Sequence, residues 1–263
     1  MTTRRTALGL LAAVLLATAA PVSAQTPEEI KAKGALSVGM LVDFPPFGIM
    51  NAQNQPDGYD ADVAKLLGED LGVPVTIVPV TGPNRIPYLL SGQVDVLVAS
   101  LGITAERAER VDFSDPYAGI RIGVIGQSEL DLSTPEKLVG HKVGVTRAST
   151  QDSALTAVAP EGVTIQRFDD DANAVQALLA GQVEAIGVSN IVGLQIQQIA
   201  PGRFDDKFDL SRQVQGVAVR PGSEALLAEI NGVLAAAKAD GRLTAIHEKW
   251  LGSPLPEFVQ AAQ

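Results

Sequence analysis

The chain has 263 residues, of which 46% are hydrophobic, and its 20 Lys and Arg against 30 Asp and Glu give a formal net charge of −10. This acidic balance argues against nucleic acid and anionic membrane surfaces as partners, because both repel a negatively charged protein. The sequence contains no cysteine, so it can form no disulfide, no thiolate metal site and no lipid-modified cysteine anchor.

The first 24 residues have the pattern of a signal peptide. The basic pair Arg4-Arg5 precedes an apolar run over 7–20, and small residues at 22–24 form a cleavage site. The run is shorter than the ~20 residues that span a bilayer, which disfavours a retained membrane helix. The general secretory route is favoured over twin-arginine export, which T-R-R-T-A-L also fits. We predict a free periplasmic protein that starts at Gln25 and, having lost two arginines and no acid, carries a net charge of −12.

Strands and helices alternate over the rest of the chain. Apolar runs predict strands at 36–41, 75–80, 94–98, 143–145 and 183–188. Helices are expected from an Asp60 cap to Gly72, over 84–92, from Ser149-Thr150 onwards, over 172–179, and over 223–251 with a break at Gly241. Residues 258–263 are expected to form a mobile tail. The alternation predicts an α/β fold with mainly parallel sheets.

Two segments of the chain resemble each other. Residues 89–100 are L-L-S-G-Q-V-D-V-L-V-A-S and residues 178–189 are L-L-A-G-Q-V-E-A-I-G-V-S, with six of twelve positions identical. The likeness reflects either a structural repeat or the general similarity of helix–glycine–strand units. Because open α/β sheets bind ligands at the carboxyl ends of their strands, two facing lobes would bring Ser100 and Ser189 into one cleft.

The segment 90–117 carries the clearest signal for binding. Its buried strand leads into Ser100, Gly102 and Thr104, and a polar helical turn with Arg107 comes next. Backbone N–H groups at a helix start, together with a fixed guanidinium, are the groups with which proteins hold a carboxylate.

Five motifs succeed one another along the mature chain. They are V-G-M-L-V-D-F-P-P-F (38–47), G-Y-D-A-D-V-A-K-L-L (58–67), the segment 90–117 with S-L-G-I-T-A-E-R and V-D-F-S-D-P-Y, V-G-V-T-R-A-S-T (143–150), and A-D-G-R-L-T-A-I-H-E-K-W-L (239–251). In this order they resemble the family-3 periplasmic solute-binding proteins, which deliver amino acids and related small polar solutes to ABC importers.

The resemblance implies a type II periplasmic binding protein fold. Two lobes, each a mainly parallel sheet flanked by helices, would be joined by two hinge crossings near 118–120 and 209–214. Residues 25–118 would form the first part of lobe 1 and 119–214 lobe 2. Residues 215–263 would form the second part of lobe 1 and the tail. Such a protein is expected to be a monomer that closes over a small-molecule ligand and passes it to an ABC transporter membrane permease.

The resemblance also implies ligand-binding residues in both lobes. Arg107 matches the arginine that grips the ligand α-carboxylate, and Ser100 and Gly102 match the loop that lines the same site. Thr150 matches the threonine that meets this carboxylate from the second lobe. The family usually has glycine where Ala148 stands.

Two further matches concern the ligand's side chain. Phe44 matches the aromatic residue that covers it, while Phe47 is expected in the core. The run 80–87 resembles the glutamate/aspartate branch, in which Arg85 would hold a distal carboxylate. The alternative is that Arg85 is an exposed arginine in the first turn of a helix.

Departures from the family pattern leave the ligand open. Amino-acid binders have an aspartate at the position of Ser189, where it pairs with the α-ammonium, but here the strand ends in Ser189-Asn190, and both are kept as candidate contacts. Within 169–171, three consecutive aspartates form either a solvated cluster at a helix start or, through Asp171, a ligand contact. Either Asp171 or a neighbour supplies the missing charge, or the ligand has no ammonium there. We expect a polar or acidic amino acid first, and a small dicarboxylate without the amine second.

An enzyme is the alternative to a binding protein, because the same fold also carries periplasmic dehydratases. Acid–base catalysis needs a titratable group in the cleft, and the two histidines, His141 and His247, lie outside every site motif. No pattern indicates a nucleophilic triad, a phosphate-binding glycine loop or a metal site, and no cofactor is expected. A sensor module would need fused signalling domains. The prediction is a binding protein without catalytic activity.

Overall fold

The computed structural model describes residues 24–261. The predicted signal peptide, except for Ala24, lies outside the described residues. The strands are β1 (Leu36–Leu41), β2 (Ile49–Met50), β3 (Pro56–Asp57), β4 (Val75–Val80), β5 (Val96–Leu97), β6 (Asp112–Gln127), β7 (Lys142–Thr146), β8 (Thr164–Phe168), β9 (Ala185–Ser189) and β10 (Phe204–Val219). The helices are α1 (Pro27–Lys33), α2 (Tyr59–Leu71), α3 (Arg85–Leu90), α4 (Ala105–Ala108), α5 (Thr150–Val158), α6 (Asp171–Leu179), α7 (Asn190–Ile199), α8 (Glu224–Ala239), α9 (Arg242–Leu251) and α10 (Glu257–Gln260).

Eight strands form a sheet in the order β4-β1-β5-β10-β6-β9-β7-β8. At one end β1 pairs in parallel with β4 and β5, and at the other end β7 pairs in parallel with β8 and β9. We call the half with β4-β1-β5 the first lobe and the half with β9-β7-β8 the second lobe. The prediction of an α/β fold with two mainly parallel lobes is confirmed.

Two long antiparallel strands connect the lobes. β6 and β10 have 16 residues each and pair along their whole length, from Asp112 opposite Val219 to Gln127 opposite Phe204. Each strand therefore continues from one lobe into the other. They are the two hinge crossings that the resemblance implies. The exact division of the chain at 118/119 and 214/215 stays a prediction.

The helices agree with the apolar patterns of the sequence, with one correction at the start of α2. Val63, Leu67 and Leu71 of this helix are buried. Asp60 is not its cap: the helix begins at Tyr59 after Gly58, and the Asp60 side chain is fully buried inside the protein. The break predicted at Gly241 is confirmed, because Gly241 (φ 85°) separates α8 from α9.

The end of the chain differs from the mobile tail that the sequence predicts. Residues 257–260 form α10, which packs on β6 with Val259 fully buried. The Phe258 ring lies against Gly119, where an added Cβ would be 2.4 Å from Phe258 Cε2. The expectation of a mobile tail is therefore wrong for the described part, because apolar contacts hold it. No helix within residues 24–261 combines the length and apolar character needed to cross a membrane.

Candidate functional site

A small cavity lies between the two lobes, at the carboxyl ends of their parallel strands. Leu41 ends β1, Ser100 comes after β5 and Thr146 ends β7, which is where open α/β sheets bind ligands. The cavity is lined by Leu41, Phe44, Gly82, Arg85, Ser100, Thr146, Ser149, Thr150, Gln151, Asp171 and Gln213. Its volume of about 20 Å³ is far below the ~300 Å³ or more of typical ligand pockets, so in this arrangement of the lobes the cavity is too small for an amino acid.

Arg85 is a buried cation in the wall of the cavity. It is the first residue of α3, only 4% exposed, and its Nη1 donates to the Ala99 carbonyl at 2.8 Å. Burial lowers the pKa of the guanidinium, and the facing Asp171 carboxylate partly offsets this effect. The alternative of an exposed first-turn arginine is therefore wrong.

The Ser100 loop is fixed by a buried network around Asp60. Ser100 Oγ and Tyr117 OH donate to the two Asp60 carboxylate oxygens, each at 2.8 Å, and the Ser100 N–H donates to Tyr117 OH at 3.1 Å. Burial raises the pKa of Asp60 to about 7, although the hydrogen bonds from Tyr117 and Ser100 stabilise the charged carboxylate and lower the pKa in part. Ser100 itself adopts a left-handed backbone (φ 47°), a strained conformation held by these bonds.

Arg107 bridges the two lobes beside the cavity. Its Nη1 donates to the Gly102 carbonyl at 2.9 Å in the first lobe, and its Nη2 donates to the Ala148 carbonyl at 3.0 Å in the second. Thr104 caps α4 by accepting from the Arg107 N–H. Burial, followed by the nearby Arg85, lowers the pKa of the Arg107 guanidinium to about 9.

The start of α5 presents donors to the cavity from the second lobe. Ser149 caps the helix by accepting from the Asp152 N–H at 3.1 Å, and Thr150 is the first helical residue. The partial positive charge of a helix N-terminus favours an anion here. Ala148 has a left-handed backbone (φ 57°), the conformation for which glycine is the favoured residue, in agreement with the glycine that the resemblance implies at this position.

The three consecutive aspartates at the start of α6 have three different roles. Asp169 is exposed, Asp170 caps the helix by accepting from the Asn173 N–H at 2.7 Å, and Asp171 is 8% exposed in the cavity wall. Asp171 Oδ1 accepts from Thr146 Oγ1 at 2.6 Å, and burial raises the pKa of this carboxyl to about 7. The solvated-cluster interpretation fits Asp169 but not Asp171.

Asp43 links the lobes on the other side of the cavity. It lies just after β1 of the first lobe, and its Oδ2 accepts from the Asp171 N–H at the start of α6, at 2.8 Å. Burial raises the pKa of Asp43, while the backbone donors at α6 lower it in part. The α6 N-terminus is thus capped from both lobes.

Ser189 and Asn190 lie away from the cavity. Ser189 is fully buried and caps α7, because its Oγ accepts from the Val192 N–H at 3.2 Å. Asn190 Oδ1 accepts from the Arg121 N–H of β6 at 3.0 Å. The structure therefore does not place these two predicted contacts among the residues that line the cavity, and their side chains bond within the second lobe and to hinge strand β6.

Five of the nine predicted ligand contacts line the cavity: Phe44, Arg85, Ser100, Thr150 and Asp171. Gly102 and Arg107 adjoin it. Phe44 stacks on Phe47 with ring centroids 5.6 Å apart, and Phe47 is fully buried, as expected for the core.

Sequence reasoning missed several cavity residues. Thr146 is the polar last residue of a parallel strand, and Gln151 follows Thr150 in the first turn of the next helix. A position at a strand end or at the start of the helix that follows is therefore a signal that could identify both residues. Gln213 lies within a hinge strand, where nothing local marks it as part of a site.

Comparisons with known proteins group this chain with solute-binding proteins. The family of bacterial extracellular solute-binding proteins, family 3, matches residues 36–253. The L-cystine-binding protein TcyJ of Escherichia coli (strain K12) is 32% identical, and the match covers 86% of this chain and 85% of TcyJ. The ABC transporter glutamine-binding protein GlnH of Bacillus subtilis (strain 168) is 31% identical, over 84% of this chain and 83% of its own length.

A solved structure shows the same fold. The solute receptor for L-cysteine of Neisseria gonorrhoeae superposes with a TM-score of 0.82 at 34% identity. The match covers 86% of this chain and 94% of the receptor.

Proposed function

The chain belongs to family 3 of the bacterial extracellular solute-binding proteins, and we propose that it captures a polar or acidic amino acid for an ABC importer. The two relatives are named as amino-acid-binding proteins, and the name of GlnH assigns it to an ABC transporter. By their names, they bind cystine and glutamine. An amino acid is therefore the class of ligand that the comparisons support for this chain.

The distribution of charge around the cavity carries the proposal. Arg85 and Arg107 supply two buried guanidinium groups from the first lobe, and Asp171 supplies a buried carboxylate from the second. A zwitterion is complementary to this arrangement, because its carboxylate and its ammonium each meet an opposite charge. Arg85 and Arg107 together favour a ligand with two anionic ends, or with one carboxylate and further polar groups, as in an acidic or polar amino acid.

A small dicarboxylate is the second candidate. It is favoured by the two arginines together with Ser189, whose hydroxyl serves α7 and brings no negative charge to the site. An unpaired buried ammonium would be poorly compensated, at a cost of several kcal/mol. Whether Asp171 compensates the charge decides between the two candidates.

We propose that the protein acts outside the cytoplasmic membrane as a free monomer. The predicted signal peptide, cleavage before Gln25 and the absence of cysteine support this location. Closure would bring lobe 2 (119–214) towards lobe 1 (25–118 and 215–263) through the two hinge strands. Small-angle scattering should show a smaller radius at saturating ligand, and an unchanged radius would contradict a closing cleft.

The decisive experiment is a thermal-shift screen of amino acids beside their deaminated counterparts. L-Glutamate, L-aspartate, L-glutamine and L-cystine are tested with glutarate and succinate, and L-arginine and L-phenylalanine serve as basic and aromatic comparisons. We expect stabilisation by a polar or acidic amino acid, confirmed by calorimetric titration. Stabilisation by the basic or aromatic amino acid alone would contradict the role given to Arg85.

We propose that the bound solute leaves unchanged. His247 contacts the Ser253 carbonyl through Nδ1 and packs on Tyr59, outside the cavity. The titratable carboxyl in the cavity wall is Asp171, which we assign to ligand binding and not to acid–base catalysis. Incubating the protein with the solute from the screen and monitoring it by mass spectrometry tests this directly. Stoichiometric recovery supports a binding protein, and repeated turnover would establish the dehydratase-like alternative.

A further inference from the structure

Gln213 reaches the cavity from hinge strand β10 rather than from either lobe. Its carboxamide lies between the Gly102 loop of the first lobe and the α5 start of the second. A Cβ added to Gly102 would be 2.4 Å from Gln213 Oε1 and 3.0 Å from Thr150 Cγ2. The Gly102 loop, the start of α5 and hinge strand β10 thus meet at this side chain.

The carboxamide oxygen of Gln213 is buried and has no hydrogen-bond partner in the protein. Within residues 24–261, five buried side-chain nitrogen or oxygen atoms lack a partner, and three of them belong to Gln213 and Gln215 of β10. Gln215 forms a backbone bridge with Gly102, so these atoms belong to the stretch of β10 that crosses the Gly102 loop. Buried polar atoms are nearly always paired, so an unpaired oxygen in a cavity wall requires a donor from elsewhere.

Groups that suit a carboxylate lie next to Gly102 and Thr150, the two residues that the Gln213 side chain approaches. Arg107 and the N-terminus of α5 both lie at Gly102 and Thr150. An α-ammonium is bonded to the same carbon as an α-carboxylate, so it will lie within a few ångströms of these donors and needs acceptors there. Ser189 gives none, because its hydroxyl serves α7, and one Asp171 oxygen already accepts from Thr146.

We propose that Gln213 Oε1 accepts a hydrogen bond from the α-ammonium of the bound amino acid. Gln213 would then be a neutral acceptor in a site where position 189 is a serine and supplies no carboxylate. The inference rests on the proposed function and assigns a specificity role to a hinge residue. A neutral acceptor contributes less to amine binding than a carboxylate would. Selectivity between an amino acid and its amine-free counterpart should therefore depend on residue 213 and be adjustable there.

The test compares two substitutions at this position with ligands that differ only in the amine. Gln213→Leu removes the acceptor, and Gln213→Glu makes it anionic. Dissociation constants are measured by calorimetry for L-glutamate against glutarate and for L-aspartate against succinate, with L-glutamine and L-cystine as further amine-bearing probes. Gln198→Leu and Gln198→Glu, at an exposed position of α7, are the matched controls. Because the readout is a ratio of affinities from one preparation, a general loss of stability does not imitate the expected result.

We expect Gln213→Leu to weaken amino-acid binding about tenfold or more while changing the affinity for the amine-free acid less than threefold. Gln213→Glu should retain the amino acid and weaken the amine-free acid about tenfold. Equal weakening of both ligands, or no change in either, would overturn the role of Gln213 and leave the proposed function intact. Wild-type protein that binds only glutarate or succinate would also overturn it. Wild-type protein that binds no probe would contradict both proposals.

Discussion

The strands β5 and β9 lie in two segments that share six of twelve positions and both lead to a serine, but the ends of these strands are built differently. Ser100 after β5 has a left-handed backbone and lines the cavity, with its hydroxyl bonded to Asp60. Ser189 at the end of β9 has an ordinary extended backbone (φ −68°), is fully buried and caps α7. The difference comes from the next segment of each unit, because a loop of four residues separates Ser100 from α4, whereas α7 begins immediately after Ser189.

The comparison shows where a strand end becomes a binding site. A loop that leaves the strand can hold a strained residue and expose backbone groups to a ligand, while a helix that starts at once uses the serine for its own first turn. β7 has the first arrangement in the second lobe, because Ala148 is left-handed and precedes α5. The cavity therefore lies at the ends of β1, β5 and β7 and not at β9.

Removing Arg107 should have the largest effect of any change at the β5 end. Arg107→Ala would leave the ligand carboxylate without its charged partner, a loss of about 2–5 kcal/mol in binding free energy by calorimetry. Arg107→Lys should also bind poorly, because an ammonium cannot reproduce the two-pronged contact. Arg110→Ala, an exposed arginine in the next turn, is the matched control and should bind as the wild type. Native affinity in either Arg107 variant would show that the site lies elsewhere.

The β5 end should also make stability depend on pH, through Asp60. Its pKa in the folded protein is about 7, well above the ordinary aspartate value of 3.8, so protonation favours the folded state. This contribution is complete below about pH 4 and is lost as pH rises towards 7, at up to about 1.4 kcal/mol per pH unit.

Asp60→Asn isolates the contribution of this group from that of Asp171. The variant should lose less stability than the wild type between pH 4 and 7, as measured by urea unfolding at several pH values. Asp70→Asn, at an exposed position of the same helix, controls for the substitution itself. Parallel curves for Asp60→Asn and the wild type would contradict the buried-carboxyl account.

Replacing the two serines by alanine separates their roles most directly. Ser100→Ala leaves an Asp60 oxygen without its donor and should cost about 1–3 kcal/mol in unfolding free energy while also weakening ligand binding. Ser189→Ala removes only the α7 cap and should cost about 1 kcal/mol with binding unchanged. Denaturant unfolding and calorimetry on the same samples measure both quantities. Weakened binding in Ser189→Ala would place this strand end in the site after all.

The smallest expected effect is at Ala148, the strained residue after β7. Ala148→Gly should stabilise the protein by up to about 1 kcal/mol, because relief of the left-handed strain exceeds the extra freedom of glycine in the unfolded chain. Ala159→Gly, where φ is −68°, is the control and should destabilise. A Tm for Ala148→Gly below that of the wild type would contradict the strain argument.

Local patterns in the sequence predict the strands β1, β4, β5, β7 and β9, but they do not predict the two long strands β6 and β10. β1 and β4 have the expected bounds, and the glycine that separates α8 from α9 is where the pattern predicts a break. The prediction that Asp60 caps α2 is wrong. It follows the general rule that an aspartate at a helix start is a cap, and this rule does not hold here. Whether such an aspartate faces solvent or the interior depends on Tyr117 and Ser100, which are distant in sequence.

The candidate site could be predicted only in part. Arg85, Thr150 and Asp171 are next to strand ends or helix starts, so their sequence context indicates a cleft. Gln213 could not be found this way, because its place in the site depends on how the hinge strands bring the two lobes together. Asp43 lies just after β1, so its strand-end position indicates the cleft, although sequence reasoning missed it. The same limit applies to Ser189. It lies at a strand end, as the pattern predicts, but its hydroxyl accepts a hydrogen bond from the first turn of α7.

The bonds that Asp43 and Arg107 make across the cleft, to the Asp171 N–H and the Ala148 carbonyl, involve protein atoms alone. Such bonds exist only when the lobes are together. They therefore help to set the fraction of ligand-free molecules that are in the closed arrangement. The apparent dissociation constant of a ligand equals its intrinsic value divided by the fraction of molecules in the binding-competent form. The two bonds thus scale the affinity for every solute by one common factor, while the cavity wall decides between solutes. Affinity and selectivity can in this way change independently in the same fold.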